Sequence, residues 1–442
     1  MVKSALAGLM RRHGQANWTV LDQAVVSGGN FVTGILLARA LGLQAFGEFT
    51  LLWMVVLFIQ SIQHAGIIAP MMTLAHSRGE DDRAAYYGAV FTHQLAFTAL
   101  TGLLLIPVLS LAAPLFGQQA PALGVQLALA AALSASQLQD FLRRYHFTRN
   151  APVVSLAGDM LRFPGQILLI GVLLFLAPDQ VNVAAALWTL AGAATVSAIA
   201  LAVPVGRLDW SGRALAGTTK AHWRFGRWLS GAAVLDWASG NVFIIAAGLM
   251  IGEAAAGGMR VGQQLIGVLH ILFHAMENFI PGQAARIHNE SGASALRSFL
   301  VRIFLLGGAA TAATGLAIAL APAYWFTLLF GAEYQPYGWV TYWLGPAYLA
   351  IYAGMTAHFG LRTLHRTSPV FLAYAASAAV SLAAVYPLLQ SFGLAGALAG
   401  FLIAPLIKVA VMGPALHHEL ARGARTREAV RARDQGGADE SD

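Results

Sequence analysis

The sequence contains no cysteine, which excludes disulfide bonds, thiol catalysis and cysteine-ligated metal sites. Charged residues are also scarce, because they make up 11% of the 442 residues, whereas soluble domains carry about 25%. Hydrophobic residues reach 57% of the chain instead. This composition predicts an integral membrane protein. Residues 1–14 contain no small-residue cleavage site, so we interpret them as retained and not as a signal peptide.

Long apolar runs take up nearly all of the sequence. A helix needs about 20 mostly apolar residues to cross the hydrocarbon core of a membrane, and the sequence contains twelve such segments. We predict transmembrane helices at residues 17–42, 46–72, 86–112, 121–142, 153–177, 181–204, 226–251, 257–281, 299–320, 337–361, 369–391 and 394–416. The predicted fold class is therefore an all-α integral membrane protein with twelve transmembrane helices.

The basic residues predict the orientation of these helices. Of the 27 lysines and arginines, all but Arg39, Arg162, Arg260 and Lys408 lie in or within four residues of the N-terminal segment, every second connection or the C-terminal tail. The positive-inside rule then places both termini in the cytoplasm, and we predict a multi-pass protein of the bacterial cytoplasmic (inner) membrane. This pattern also accounts for the net charge of +7, so we predict no nucleic-acid partner.

The two halves of the sequence resemble each other at an offset of about 210 residues. Ser27-Gly28 corresponds to Ser239-Gly240, the turn Gly42–Gly47 to Gly252–Gly257, and His64-Ala65 to His274-Ala275. We therefore predict two pseudo-symmetric six-helix lobes around a central cavity. The N-lobe is 17–204, the cytoplasmic linker 205–225 and the C-lobe 226–416; a cytoplasmic segment, 1–16, precedes them, and a charged tail, 417–442, predicted to be disordered, follows.

Polar residues recur at helical spacing on three predicted spans, where polar groups facing lipid would be costly. The shared faces are formed by Gln263, His270, His274 and Glu277 on the eighth span, by Gln60 and His64 on the second, and by Ser155, Asp159, Arg162 and Gln166 on the fifth. A hydrated central cavity would solvate all three faces. We therefore predict that Gln60, His64, Gln263, His270 and His274 contribute to substrate binding.

Charged residues inside the predicted spans are the first candidates for function, since a charge at the bilayer centre costs at least ~2.5–3.5 kcal/mol. The candidate cavity cations are Arg39, Arg162 and Arg260, and the candidate ion-coupling carboxylates are Asp22, Asp159, Asp236 and Glu277.

Simpler explanations stay open for several of these residues. Arg39 can extend to the membrane interface, Asp159 can neutralise Arg162 three residues on, and the carboxylates Asp22 and Asp236 can reach for water at helix ends. The histidines show no zinc-like arrangement, and we predict no metal, cofactor or catalytic residue.

Two motifs resemble those of a known transporter family. They are Leu37-Ala38-Arg39-Ala40-Leu41-Gly42 followed by Phe46-Gly47-Glu48-Phe49, and Leu329-Phe330-Gly331-Ala332-Glu333-Tyr334. Both resemble the Wzx-type polysaccharide (O-antigen) flippases of the multidrug/oligosaccharidyl-lipid/polysaccharide exporter (MOP) superfamily. The resemblance implies lobes of six plus six helices, a V-shaped cavity with a cationic interior, and an oligosaccharide on undecaprenyl pyrophosphate as the substrate. In the second half the first motif degrades to Gly248-Leu249-Met250-Ile251-Gly252, so no counterpart of Arg39 is predicted there.

The predicted function is an alternating-access flippase for lipid-linked oligosaccharide in the assembly of O-antigen, capsule or exopolysaccharide. Its expected partners are that substrate, membrane lipids, a polysaccharide polymerase and chain-length proteins. A multidrug or organic-cation antiporter of the same superfamily is the first alternative, although arginines in the cavity would repel cationic substrates. A membrane-embedded polysaccharide polymerase or ligase is the second, but the longest outer connection, about Pro322 to Pro336, is short for a catalytic loop.

Overall fold

A computed structural model describes the backbone of residues 2–439, in which every regular element is a helix. Side chains are described for residues 18–423, except 19–20, 77, 80–81, 116, 271, 274–275 and 278. The α-helices are α1 (Val2–Gln63), α2 (Ala69–Leu74), α3 (Glu80–Ala112), α4 (Leu123–Thr148), α5 (Pro152–Leu176), α6 (Val183–Ala202), α7 (Gly212–Met250), α8 (Glu253–Ile266), α9 (Leu269–Leu320), α10 (Pro322–Leu329), α11 (Thr341–Thr363) and α12 (Ser368–Asp439). A π-helical turn, His64–Ile68, joins α1 to α2. The predicted all-α class is confirmed.

Within the residues that the structure describes, seven helical segments are long and apolar enough to cross a membrane. They are Leu21–Leu74, Asp82–Leu115, Pro152–Leu176, Val183–Ala202, Gly212–Met250, Phe279–Leu320 and Ser368–Gly423. The first of them is 54 residues long and the last 56, whereas about 20 residues suffice for one crossing. The chain is therefore a multi-pass membrane protein. The count of twelve crossings, the two-lobe arrangement and the orientation stay predictions.

Three glycines interrupt the longest helices. Gly42 has φ 77° and ψ 170° inside α1, Gly292 has φ 84° inside α9, and Gly393 has φ 56° inside α12. A positive φ carries no steric cost for glycine, so the chain can turn at these points without strain. The gaps predicted at 42–46 and 391–394 coincide with two of these interruptions.

Local sequence signals set where several helices begin. Pro152 occupies the first turn of α5, where its missing N–H removes no helical hydrogen bond. The Asn182 side chain accepts a hydrogen bond from the Ala185 N–H, 3.0 Å away, and so caps α6. Ser211 caps α7 in the same way through Ala214. This cap starts α7 inside residues 205–225, so most of the predicted linker is helical.

Helix α12 extends into the predicted C-terminal tail. The backbone of α12 continues through residues 417–439 to Asp439. This segment is rich in alanine, arginine and glutamate, which have high intrinsic helix propensity. The side chains of 424–439 lie outside the described residues.

The chain divides into two compact units. The first unit comprises residues 1–237, 247–261 and 327–334, and the second comprises 238–246, 262–326 and 335–442. In the first unit, α4 packs against α3, α5 and α6, and α1 packs against α5. In the second unit, α9, α11 and α12 pack against one another. The predicted lobe boundaries, 17–204 and 226–416, stay predictions.

Aromatic side chains hold α3 against α4 in the first unit. The Phe91 ring stands edge-on to Phe141, with centroids 4.9 Å apart, and to Tyr145 at 5.3 Å. Tyr87 also meets Tyr145 edge-on at 4.9 Å. Edge-to-face pairs of this kind add about 0.5–1.5 kcal/mol beyond the area that they bury. These contacts fix the C-terminal half of α4, which also carries polar and charged residues.

Replacing Gly29 by alanine should destabilise the first unit by about 1–3 kcal/mol, the usual cost of overpacking. A Cβ atom at Gly29 would lie 2.5 Å from the Cβ of Phe163, because α1 approaches α5 closely there. Gly28 provides a matched control, since a Cβ there meets no described atom within 4 Å. Gly28→Ala should be neutral or stabilising by up to about 1 kcal/mol. Thermal unfolding in detergent distinguishes the two, and equal midpoints would contradict the close approach.

Reporter fusions test the orientation predicted from the basic residues. Fusions after Arg149 or Arg213 should report the cytoplasm, and fusions near Gln118 or Gln180 should report the outside. Paired alkaline phosphatase and fluorescent-protein activities measure this directly. A cytoplasmic signal at Gln118 would contradict the positive-inside assignment of the first unit.

Candidate functional site

A cavity of about 220 Å³ lies among α1, α4 and α5 in the first unit. Polar and charged groups supply most of its lining, with Trp53, Leu57 and Phe163 among the apolar contributors. Its volume lies below the about 300–1,000 Å³ typical of pockets for drug-sized ligands. It can therefore enclose a small charged group but not a whole oligosaccharide. The polar lining consists of Asn30, Gln60, His64, Gln139, Asp140, Arg143, Arg144, Asp159 and Arg162.

Arg143 joins the three helices through two buried carboxylates. Its Nε donates to Asp159 on α5, and its Nη2 donates to Asp22 on α1. Gln139 donates to the second oxygen of Asp159 at 3.0 Å. All three charges are removed from water, because Arg143 is 8% exposed, Asp22 1% and Asp159 0%. The guanidinium is suited to this role, since its planar fork can serve two carboxylates at once.

Arg162 is held by neutral groups. It donates to Gln139 Oε1 and, at 3.3 Å, to the Ser136 hydroxyl. Its buried Nε–H has no hydrogen-bond partner within the described part of the chain. Asp159 is hydrogen-bonded to Arg143 and Gln139. The Asp159–Arg162 pair left open by the sequence is therefore not joined by a hydrogen bond in the structure.

A second charged cluster lies on the same cavity wall. His64 Nε2 and Asp140 Oδ2 are 2.6 Å apart, and Arg144 Nε is 3.7 Å from the other Asp140 oxygen. The latter distance is too long for a hydrogen bond, and the buried Arg144 Nε–H has no partner among the described groups. Two arginines that line the cavity, Arg144 and Arg162, thus each have an Nε–H without a hydrogen-bond partner among the described groups.

The fixed charges of the cavity nearly balance. Arg143, Arg144 and Arg162 line it as three cations, and Asp140 and Asp159 as two anions. Asp22, which is hydrogen-bonded to Arg143, adds a third anion. The sum is therefore zero when His64 is neutral and one positive charge when it is protonated. The cavity can therefore hold an anion through hydrogen bonds from its arginines more than through an excess of positive charge.

The structure brings together five of the predicted site residues. Gln60, His64, Asp159 and Arg162 line the cavity, and Asp22 contacts it through Arg143. Arg39 is exposed on α1, Arg260 is partly buried on α8 and Asp236 is exposed on α7. None of these three lines the cavity.

The predicted polar face of the eighth span is divided. Gln263 lies on α8, whereas His270 and Glu277 lie exposed on α9. The helix is interrupted at 267–268, where the Gly267 N–H bonds the carbonyls of Gln263 and Gln264, 2.8 and 3.2 Å away. The single membrane crossing predicted at 257–281 stays a prediction. The side chain of His274 lies outside the described residues.

Four lining residues of α4 were missed. Gln139, Asp140, Arg143 and Arg144 belong to a helix that continues to Thr148, whereas the predicted span ended at 142. Arg143 and Arg144 were assigned to a cytoplasmic connection for that reason, and their place on α4 at the cavity was not predicted. The helical spacing of Ser136, Asp140 and Arg143 was the available signal.

Comparison with known proteins rests on structure alone, because no protein-family model and no curated protein matches the sequence. An inward-facing multidrug resistance MATE family transporter of the MOP superfamily matches with a TM-score of 0.69 and 13% identity, over 90% of this chain and 95% of that one. The lipid II flippase MurJ, in an inward closed conformation, matches with a TM-score of 0.68 and 9% identity, over 91% and 89%. The chain has the MOP transporter fold.

A third MOP transporter, from Pyrococcus furiosus, is described as having a binding pocket of reverse polarity that suggests a different function. It matches with a TM-score of 0.57 and 14% identity, over 91% of this chain and 94% of that one. The resemblance to the MOP superfamily is thus confirmed at the level of the fold. Identities this low do not transfer a substrate, because the same fold hosts different functions.

Proposed function

We propose that this MOP-fold protein is an alternating-access flippase for undecaprenyl-pyrophosphate-linked oligosaccharide. It moves this lipid from the cytoplasmic to the outer leaflet of the bacterial inner membrane for O-antigen, capsule or exopolysaccharide assembly. The observation that carries the proposal is that Arg144 and Arg162 line this cavity and that the buried Nε–H of each has no hydrogen-bond partner among the described residues.

A phosphate group bound in the cavity would accept hydrogen bonds from the guanidinium groups of Arg144 and Arg162. Hydrogen bonds between arginine and phosphate are charge-assisted and frequently bidentate, which makes them stronger than neutral ones. A volume of about 220 Å³ suits a pyrophosphate better than the sugars attached to it. The sugars would then occupy space outside this cavity, and the polyprenyl chain would stay in the lipid.

Because the cavity charges balance, an anionic ligand would be held by hydrogen bonds from arginine and not by excess positive charge. Arg143 is engaged by Asp22 and Asp159, whereas Arg162 bonds only neutral side chains and Arg144 lies 3.7 Å from Asp140. We assign Arg143 a positioning role and assign phosphate contact to Arg162 and Arg144. Asp236 and Glu277 remain the proposed ion-coupling carboxylates, and Arg39, Arg260, Gln263, His270 and His274 remain proposed substrate contacts elsewhere in the chain.

A multidrug antiporter is the second candidate, because a MATE multidrug transporter shares the fold. In such a protein, a carboxylate is needed to hold a proton or a cationic drug. Asp22 and Asp159 are both engaged by Arg143, so cation binding there would require this arginine to leave.

Reconstitution into liposomes tests the choice between the two. The protein should move a fluorescent undecaprenyl-pyrophosphate oligosaccharide between leaflets, measured by the fraction that an impermeant quencher reaches. Liposomes with an unrelated membrane protein control for leakage. Efflux of a cationic dye that is driven by a proton gradient, with no movement of the lipid, would contradict the proposal and support the antiporter.

A further inference from the structure

A larger cavity, of about 450 Å³, lies at the predicted cytoplasmic ends of α3, α4 and α6 in the first unit. We name it the basic cavity. Its lining includes Arg83, Arg149, Arg207, His76, Tyr87 and Tyr145, and none of its lining residues belongs to the cavity among α1, α4 and α5. The two sites are therefore separate.

The three arginines reach the basic cavity from different parts of the chain. Arg83 comes from the first turn of α3, Arg149 follows α4, and Arg207 follows α6. No aspartate or glutamate side chain lines the cavity among the residues that the structure describes. Three guanidinium groups around one space, without a lining carboxylate, give it a positive potential that favours an anion.

Arg149 has a defined placement. Its Nη1 donates to the Tyr145 hydroxyl at 2.9 Å, and its guanidinium carbon lies 5.5 Å from the centroid of that ring. Tyr145 is itself 1% exposed, so this partner is fixed within the core. A Cβ atom at Gly206 would lie 2.8 Å from Nη1, which shows that the backbone leaves room for the guanidinium. The arginine is therefore placed by its surroundings before any ligand binds.

Exposed apolar side chains lie close in sequence to the cavity lining. Val153 is 51% exposed and lies shortly after the lining residue Asn150, and Val203 is 80% exposed and lies shortly before Gly206. Basic pockets between membrane helices bind the headgroups of anionic lipids, because arginines hold the phosphates while the acyl chains stay on the apolar surface. The volume lies in the range of about 300–1,000 Å³ that fits a ligand-sized headgroup.

We propose that the basic cavity binds the phosphate groups of an anionic membrane-lipid headgroup. A lipid with two phosphates, such as cardiolipin, matches the three arginines best, since each phosphate can engage a guanidinium in bidentate fashion. This site is distinct from the proposed transport site and does not depend on the transported substrate.

Native mass spectrometry of the purified full-length protein tests the site with cardiolipin as the probe. The Arg149→Gln/Arg207→Gln double variant should bind cardiolipin at least tenfold more weakly than the wild type. Arg213→Gln/Arg224→Gln removes two exposed arginines of the same unit that line neither cavity, and it should bind like the wild type. Equal binding by both double variants would overturn the proposal.

Two further measurements separate the possible outcomes. The Arg149→Lys/Arg207→Lys variant keeps the charge but not the bidentate geometry, so it should bind cardiolipin less tightly than the wild type and more tightly than Arg149→Gln/Arg207→Gln, whereas a misfolded protein would not. Inorganic pyrophosphate should compete with cardiolipin only in large excess, because it lacks acyl chains. Pyrophosphate that binds as tightly as cardiolipin would overturn the assignment to a lipid and identify a soluble phosphate compound as the ligand.

Discussion

Replacing Arg143 with methionine should lower the free energy of unfolding by about 3–5 kcal/mol, because removal of one member of a buried ion cluster leaves uncompensated charge. Asp22 and Asp159 would both lose their guanidinium donor while they remain buried at 1% and 0% exposure. Equilibrium unfolding in mixed micelles measures the loss. The free energy of unfolding of Arg143→Lys should lie between those of the wild type and Arg143→Met, since one ammonium group cannot reproduce the fork that serves two carboxylates.

Neutralising the carboxylates should restore most of that stability. The triple variant Asp22→Leu/Arg143→Met/Asp159→Leu carries no buried charge at these positions, and replacing a whole buried ion cluster by hydrophobic residues of similar volume is often neutral or stabilising. Arg224→Met is the matched control, because Arg224 is exposed in the same unit. If Arg143→Met unfolded at the wild-type midpoint, the ion cluster would not be what joins α1, α4 and α5.

Replacing Arg162 with glutamine should lower the rate of lipid flipping by roughly 10- to 100-fold, the value of one hydrogen bond to a charged group. Arg162 presents a donor that has no partner in the described structure and is held by the neutral side chains of Gln139 and Ser136. Its loss should therefore spare the ion cluster around Arg143. The rate is measured in liposomes that contain equal amounts of folded protein.

The conservative variant and a distant arginine provide the controls. Arg162→Lys should recover only part of the rate, since lysine keeps the charge but cannot bind phosphate in bidentate fashion. Arg260→Gln should reduce flipping less, because Arg260 does not line the cavity. A wild-type rate of flipping in Arg162→Gln would exclude this arginine from the transport site. A larger loss of rate in Arg260→Gln than in Arg162→Gln would indicate that the transport site lies outside this cavity.

Part of the candidate site could be predicted from the sequence. Helical spacing correctly grouped Asp159, Arg162 and Gln166 on α5, which are all partly or fully buried, and it identified Gln60 and His64 on the first unit's cavity wall. Spacing works within one helix because its period is constant. It did not predict the two-residue turn at 267–268, which divides the predicted face on residues 257–281 between α8 and α9.

The sequence did not show which residues form ion pairs with Arg143. Arg143 lies 121 residues from Asp22 and 16 from Asp159, and a span prediction that ended at residue 142 counted it as a solvated connection residue. A hydropathy pattern registers arginine as polar and ends the span there. It does not register that two carboxylates on other helices make burial of that arginine favourable.

The sequence by itself determined that this is an all-helical membrane protein, because the free energy of moving a residue into lipid depends mainly on that residue and its near neighbours. Glycine breaks at 42 and 393 were equally local, since a positive φ is a property of one residue. Only the tertiary structure decided which charges meet, which ones cancel and which donors stay available. That outcome depends on how helices rotate and approach one another, as α1 and α5 do at Gly29, and no local pattern specifies it.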